Sequence, residues 1–339
     1  MSNTIYMSSI GTYMTSFLNQ RRQLGYKAYD VEYALRTIDH YLFNIGFTES
    51  FITKEVYDGW WKSTENQINS TRYSKASIFI RFIKYLTMMG IDCYVPRLPR
   101  KHESGRTPYT FTESEMASIF VACDKLRMKE RHTKSVMIGF PALIRLMYST
   151  AIRISEAIEI RLGNVDFNHH VIKLEYTKNG HQRLSPINNS LETVLRQYLK
   201  YRLKLPYNEL SRPDSYLFVS SQGKKISRKS CLKYMHRVLE DAGIAHIGNE
   251  EGPHLHNIRH SACVHSMIKC SRNGMDIYCG LPIISTFMGH RKVLDTEKYL
   301  RLTQEMYPDL IKQDLSITSI IQGTVKRAKA LTTNPLVKS

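Results

Sequence analysis

Six residues are of types that together could break and rejoin a phosphodiester: Arg153, Lys178, His256, Arg259, His290 and Tyr299. In-line attack by a tyrosine makes three demands. Charge developing on the non-bridging phosphate oxygens needs cationic donors. The phenol must lose a proton against a reference pKa near ~10, and the departing oxygen must gain one. Arginine suits the first demand, because its planar fork matches a phosphate bidentately and keeps its charge. Histidine or lysine can serve the other two. His256 and Arg259 stand three apart in His256-Asn257-Ile258-Arg259-His260, so a helix would point both the same way. His290 follows Gly289, and Tyr299 comes nine residues later.

Taken singly, none of these residues decides anything. Arg153-x-x-Glu156 is the spacing of an ordinary surface pair on a helix. Lys178 beside Asn179-Gly180 has the composition of a solvated turn, and Tyr299 is one of 21 tyrosines. Composition narrows the choice. With 48 Lys and Arg against 30 Asp and Glu, the net charge of +18 favours a polyanion, most simply DNA or RNA. No secretory or membrane segment is evident. The most apolar stretch, residues 136–152, contains Pro141 and Arg145 and reads as a buried helix. Six cysteines without a Cys-x-x-Cys pair read as reduced thiols of a cytoplasmic protein, and their spacing does not suit zinc.

The elements that must position these groups follow from periodicity and punctuation. Residues 1–95 read as an all-helical unit. Asp30 is placed to cap a helix with Val31, Leu35, Ile38, Leu42 and Ile45 on one stripe, ended by Gly46. A second helix is predicted over 74–89. Arg72, Lys75, Arg81 and Lys84 decorate it and its entrance, as a solvated face or as phosphate contacts. Residues 96–108 form a proline-containing linker. Its Arg97, Arg100, Lys101 and Arg106 suit either a strap along a phosphate backbone or an ordinary exposed connection.

Thr112-Glu113-Ser114-Glu115 is a capping-box pattern that opens a second domain. Helices are predicted to about residue 160. Arg153 falls at the join between two of them, where Ser155 could cap and Glu156 could buttress. The period then changes. Residues 171–176 and 183–187 are strand-like, and Lys178-Asn179-Gly180-His181 between them is a hairpin turn. From about residue 191 the chain is again mostly helical.

In order, spacing and flanking residues, this set resembles the tyrosine recombinase family, also called phage-type integrases. Residues 110–124 resemble that family's entry into its catalytic domain. Thr150-Ala151-Ile152-Arg153-Ile154-Ser155-Glu156 resembles its first arginine motif, and Tyr176-Thr177-Lys178 its mobile lysine. His256-x-x-Arg259-His260, Gly289-His290 and Tyr299 resemble its terminal box. Two departures stand out. Ala151 replaces a frequent glycine, and the interval from Arg259 to His290 is longer than in compact members, with 271–280 as the insert. Residues 280–290 resemble a transposon-borne branch.

The resemblance implies a mainly α fold with a small antiparallel β-sheet, arranged as a two-domain clamp on duplex DNA. A helical core-DNA-binding domain (1–95) and the linker (96–108) would precede a catalytic domain (109–310). A tail helix (311–339) would dock in trans or fold back, and no room is left for a further N-terminal arm-binding domain. The implied activity is site-specific recombination through a 3′-phosphotyrosyl intermediate, with no metal and no cofactor. Tyr299 would be the nucleophile, Arg153 and Arg259 the phosphate clamp, and His256 the general base. Lys178 would be the acid for the 5′ oxygen, and His290 a donor to a non-bridging oxygen. The implied partners are duplex DNA with specific core sites and three further copies of the chain, forming a tetramer on two duplexes at the nucleoid. Integration, excision or transposition of a mobile element is the expected task, and chromosome or plasmid dimer resolution would use the same chemistry. Two rivals are open. His254-Leu255-His256 matches the His-hydrophobe-His of metal-dependent tyrosine nickases. A non-catalytic DNA-binding protein of this fold would lack one of the six residues, and none is missing.

Overall fold

Val31, Leu35, Ile38 and Leu42 are buried along one helix of the computed structural model, whereas Ile45, expected on the same stripe, is the C-cap and is exposed. Residues 5–26, 28–100, 108–126, 135–177, 180, 182–245, 252–297 and 299 are described. The chain divides into two compact units, Met1–Arg106 and Thr107–Ser339. The first contains α1 (Gly11–Gln23), α2 (Tyr29–Asn44), α3 (Lys54–Ser63) and α4 (Asn69–Met88). The cap of α2 is Ala28, and Asp30 instead lies in the first turn, where a carboxylate meets the positive end of the helix dipole. Helix α4 begins five residues before the predicted start. Its first turn, Asn69 to Arg72, carries no apolar repeat by which a sequence pattern could detect it.

Aromatic packing holds this unit together. Trp60 meets Phe79 edge-to-face at 4.8 Å, both fully buried. Asp39, only 3% exposed, accepts from the backbone N–H groups of Met7 and Ser8 and from the Ser8 hydroxyl. Three donors offset the cost of burying its charge and pin the N-terminal segment to α2.

In the second unit α5 (Glu113–Asp124) opens with the capping box. Thr112 Oγ1 accepts the Glu115 N–H at 3.1 Å, and Glu115 Oε2 accepts the Thr112 N–H at 2.7 Å. Helices α6 (Phe140–Thr150) and α7 (Ile154–Ala157) follow. Then come β1 (Val165–Asp166), β2 (Val171–Leu174) and β3 (Arg183–Pro186), an antiparallel sheet in that order. Strand β1 has two residues, too few for alternation to announce it. The β2–β3 register runs from Val171↔Pro186 to Leu174↔Arg183. Residues 175–182 therefore connect the hairpin, and Lys178 within them lies outside the described residues.

The unit is completed by α8 (Asn189–Arg202), α9 (Arg228–Asp241), α10 (Asn257–Arg272) and α11 (Ile277–Met288). Helix α10 is its axis. It packs on both α6 and α11, and apolar, polar and charged positions alike are buried from Asn257 to His265. Residues 271–280, expected as an insert, form the end of α10, a turn, and the first turn of α11, which the Asp276 carboxylate caps through the Tyr278 and Cys279 N–H groups. All six cysteines are free thiols. Among the described residues no helix is long and apolar enough to cross a membrane.

Candidate active site

Arg153 lies where α6 ends and α7 begins. Ala151 closes α6 in the left-handed region, with φ 49° and ψ 24°, a conformation that suits glycine and explains why the resembling motif often has one there. The turn sends Arg153 to the N-cap of α7. Glu156, 2% exposed, then holds it twice: Oε1 pairs with the guanidinium at 2.9 Å, and Oε2 accepts its backbone N–H at 3.0 Å. The cap expected of Ser155 is thus supplied by Arg153 and Glu156.

Helix α10 delivers the next group. Asn257, fully buried, accepts the His254 N–H and donates to the Tyr109 carbonyl at 2.6 Å. The Ser261 hydroxyl accepts the Phe111 N–H at 2.7 Å. These bonds fix the start of α10 against the domain entry. They place His256 at the helix cap and Arg259 one turn in. Arg259 is 1% exposed and donates to the carbonyl of Ala151 and, at 2.9 Å, to that of Met288. It thereby ties the end of α6 to the end of α11. Burial, and then the charge of Arg153, push its pKa down to about 10, which leaves it charged at neutral pH.

His290 follows α11 and hydrogen-bonds through Nδ1 with the buried Thr296 hydroxyl at 2.7 Å. A helical turn over 294–297 leads on to Tyr299, which is 2% exposed. Its ring stacks on that of His290, with centroids 6.2 Å apart and planes within 7°. Its hydroxyl meets Nδ1 of His260 at 2.7 Å. His260 stands one turn after His256, and the two imidazoles touch edge-to-face at 4.8 Å. Burial raises the phenol's pKa above its ordinary value, against the pull of Arg259 and Arg153.

Arg153, Glu156, Arg183, His290 and Arg291 line a cleft of about 230 Å³. A small cation-lined cleft suits an oxyanion. A larger groove of about 830 Å³, beside Met137, Val194 and Tyr201, is lined by none of the five described residues of the set.

Residues 110–306 match the phage integrase family, more than half of the chain. The chain belongs to that family. It is a DNA strand transferase of the tyrosine recombinase type, a site-specific recombinase. The integrase/recombinase y4rB of Sinorhizobium fredii is 25% identical to it over 310 residues, 91% of this chain and 97% of that protein. Among solved structures, XerH recombinase bound to palindromic difH DNA superposes with a TM-score of 0.63 at 16% identity, over 89% of this chain and 83% of that one. The Tn1549 transposon integrase bound to transposon right-end DNA gives 0.62 at 14%, over 88% and 99%. At such identities the likeness is one of fold.

Within the recombinase, the structure brings Arg153, Arg259, His256, His290 and Tyr299 into one connected region. Two neighbours were missed from the sequence. His260 stands in the sequence as part of the His256-x-x-Arg259-His260 motif, and its i, i+4 spacing from His256 marks it as sharing a face. Arg183 on β3 carried no signal, since a lone cation on a short strand reads as solvated. The cations of the first unit sit differently from one another. Arg72 lies over the Trp61 ring at 4.0 Å and donates to the Trp61 carbonyl. Lys75 is 7% exposed, its ammonium 5.3 Å from the Tyr33 ring. Arg81 and Lys84 are exposed, as are Arg97 and Arg100 in the linker. Lys101 and Arg106 lie outside the described residues.

The environment of His256 has a measurable consequence. Burial first, then the charge of Arg259, lower its pKa from 6.5 to about 4. Above about pH 6.5 the imidazole is neutral whether the chain is folded or not. Between 6.5 and 4 only the unfolded chain gains the proton, so stability falls as pH falls. The loss should be on the order of 3 kcal/mol when complete. From pH 7 to pH 4 the urea midpoint of the wild type should fall relative to that of His256→Gln. Parallel curves would show that His256 is not held neutral.

Proposed function

We propose that this recombinase cuts and rejoins duplex DNA at specific core sites through a 3′-phosphotyrosyl link to Tyr299. The observation that carries the reading is the stacking of Tyr299 on His290, a residue that lines the cationic cleft with Arg153. In this reading the scissile phosphate enters that cleft. Arg153 and Arg259 neutralise charge as it develops on the phosphorane-like transition state. His290 donates to a non-bridging oxygen, and His256, neutral at pH 7, is available to accept a proton on the nucleophile's side. Lys178, carried on the β2–β3 connection, protonates the 5′ oxygen. The phosphotyrosine keeps the energy of the broken bond, so rejoining needs no nucleotide, and the arginines fill the role that metals play elsewhere.

The first unit and the exposed linker cations would hold the duplex through its backbone. Four protomers would act on two duplexes at the nucleoid, coupled by the tail over 311–339, which lies outside the described residues. Movement of a mobile element is the task we infer. The transposon-like segment 280–290 supports it. Dimer resolution would use the same residues.

Randomly nicked genomic DNA from the source organism tests this, because a nick beside the cleaved phosphate lets the short 5′ strand diffuse away and traps the adduct. Incubation in excess EDTA followed by SDS–potassium precipitation should recover protein on 3′ ends at one or a few sites. Sequencing those ends would show an element boundary or a chromosomal resolution site. No adduct, or adducts only after magnesium or manganese is restored, would reject the reading in favour of a nickase or a binding protein.

A further inference from the structure

Arg183 is the first residue of β3 and pairs with Leu174 at the last rung before the connection that carries Lys178. Its side chain is 16% exposed, so a full charge sits in a mostly dry place. In one direction it reaches the first arginine motif: Nη2 meets Glu156 Oε2 at 3.0 Å, and the other oxygen of that carboxylate holds Arg153. In the other direction it reaches the end of α11, where the carbonyls of Phe287 and Met288 lie 3.4 Å from its fork. Met288 also accepts from Arg259. One planar side chain thus touches the supports of Arg153, Arg259 and His290.

Gly289 shows that this placement shapes the sequence around it. Its φ of 67° already favours glycine. A Cβ there would stand 2.3 Å from Arg183 Nε and 3.0 Å from its Cδ. Gly289 is therefore also the space into which the Arg183 head fits, and the residue that turns the chain from α11 into His290. Burial lowers the pKa of Arg183, with the Glu156 carboxylate opposing that shift. The ion pair and the carbonyls together hold the charge in the protein.

We propose that Arg183 is a positioning residue for strand cleavage: it sets the spacing between Arg153 and His290 across the phosphate cleft and ties that spacing to the β2–β3 hairpin. The inference rests on the reading that this cleft takes the scissile phosphate. A lysine at 183 keeps the charge but has a point donor on a flexible stem, which cannot hold Glu156 and the α11 carbonyls in one fixed plane.

The test uses the full chain, its recovered core site on a nicked duplex, and Arg183→Lys. Affinity should stay within about twofold, since backbone contacts are spread over many cations. Single-turnover cleavage should fall about 100-fold, the scale of a misplaced reacting group. The discriminating readout is a pair of substrates with sulfur at one or the other non-bridging oxygen. The wild type should prefer one diastereomer, and Arg183→Lys should lose most of that preference. A smaller folded fraction lowers the amplitude and leaves the preference intact. Gly289→Ala, which pushes the Arg183 head aside, should give the same loss, and the double variant should be no worse than either single change. Full cleavage by Arg183→Lys, or slow cleavage with an unchanged preference, would overturn the proposal while the recombinase reading stood. A wild type that forms no adduct would remove that reading and this inference with it.

Discussion

Tyr299→Phe should bind the recovered core site normally and form no SDS-resistant adduct on the nicked duplex. Removal of a catalytic nucleophile lowers rates by about 10⁴-fold or more. The change deletes one oxygen, and phenylalanine can fill the same space and keep the stack on His290. Tyr299 is 2% exposed, so its hydroxyl adds nothing to the surface that DNA first meets. Loss of the buried bond to His260 should cost stability about 1–3 kcal/mol. A gel shift, a denaturing gel and a melting curve separate the three quantities. An SDS-resistant band from the phenylalanine variant would move the nucleophile to another residue.

Arg259→Lys should lower cleavage by about 10²- to 10³-fold, the cost of removing a preorganised donor from a developing oxyanion. The fork of Arg259 spans two carbonyls at the ends of separate helices, Ala151 after α6 and Met288 in α11. A lysine ammonium cannot take that plane. One buried carbonyl left without a partner costs about 1–3 kcal/mol, so the urea midpoint should fall as well. Cleavage per folded molecule, from burst amplitude and rate together, isolates the catalytic part. An undiminished rate would mean that the fork supports the fold but not the phosphate.

The elements whose signals are local were legible in advance. The capping box at Thr112 needs residues only three apart, and it is present in both its bonds. The strand periods on either side of Asn179-Gly180 correspond to β2 and β3. The stripe on α2 is buried from Val31 to Leu42 as its 3.6-residue repeat requires, and Ile45 at the C-cap falls outside it. The polar first turn of α4, the two-residue β1 and the cap at Ala28 fall below what a period or a cap preference can resolve.

Residue types alone narrowed the chemistry, because they limit which groups can clamp a phosphate, attack it and move protons. The sequence also determined the mainly helical fold, through patterns acting over a few residues. Only the tertiary structure decided which groups meet. The sequence offered His256 as partner of Tyr299, whereas the tyrosine hydroxyl lies on His260, 39 positions away. Arg183 gave no sign of itself, yet it pairs with Glu156 across 27 positions and reaches Phe287 across 104. Such pairings follow from how α10 packs on α6 and α11 and how β3 lies against the turn after α11. That packing is set by apolar side chains such as Val264, Met267, Ile268 and Ile284, not by the polar ones it brings together. For this reason the polar residues carry no mark of their partners in the sequence.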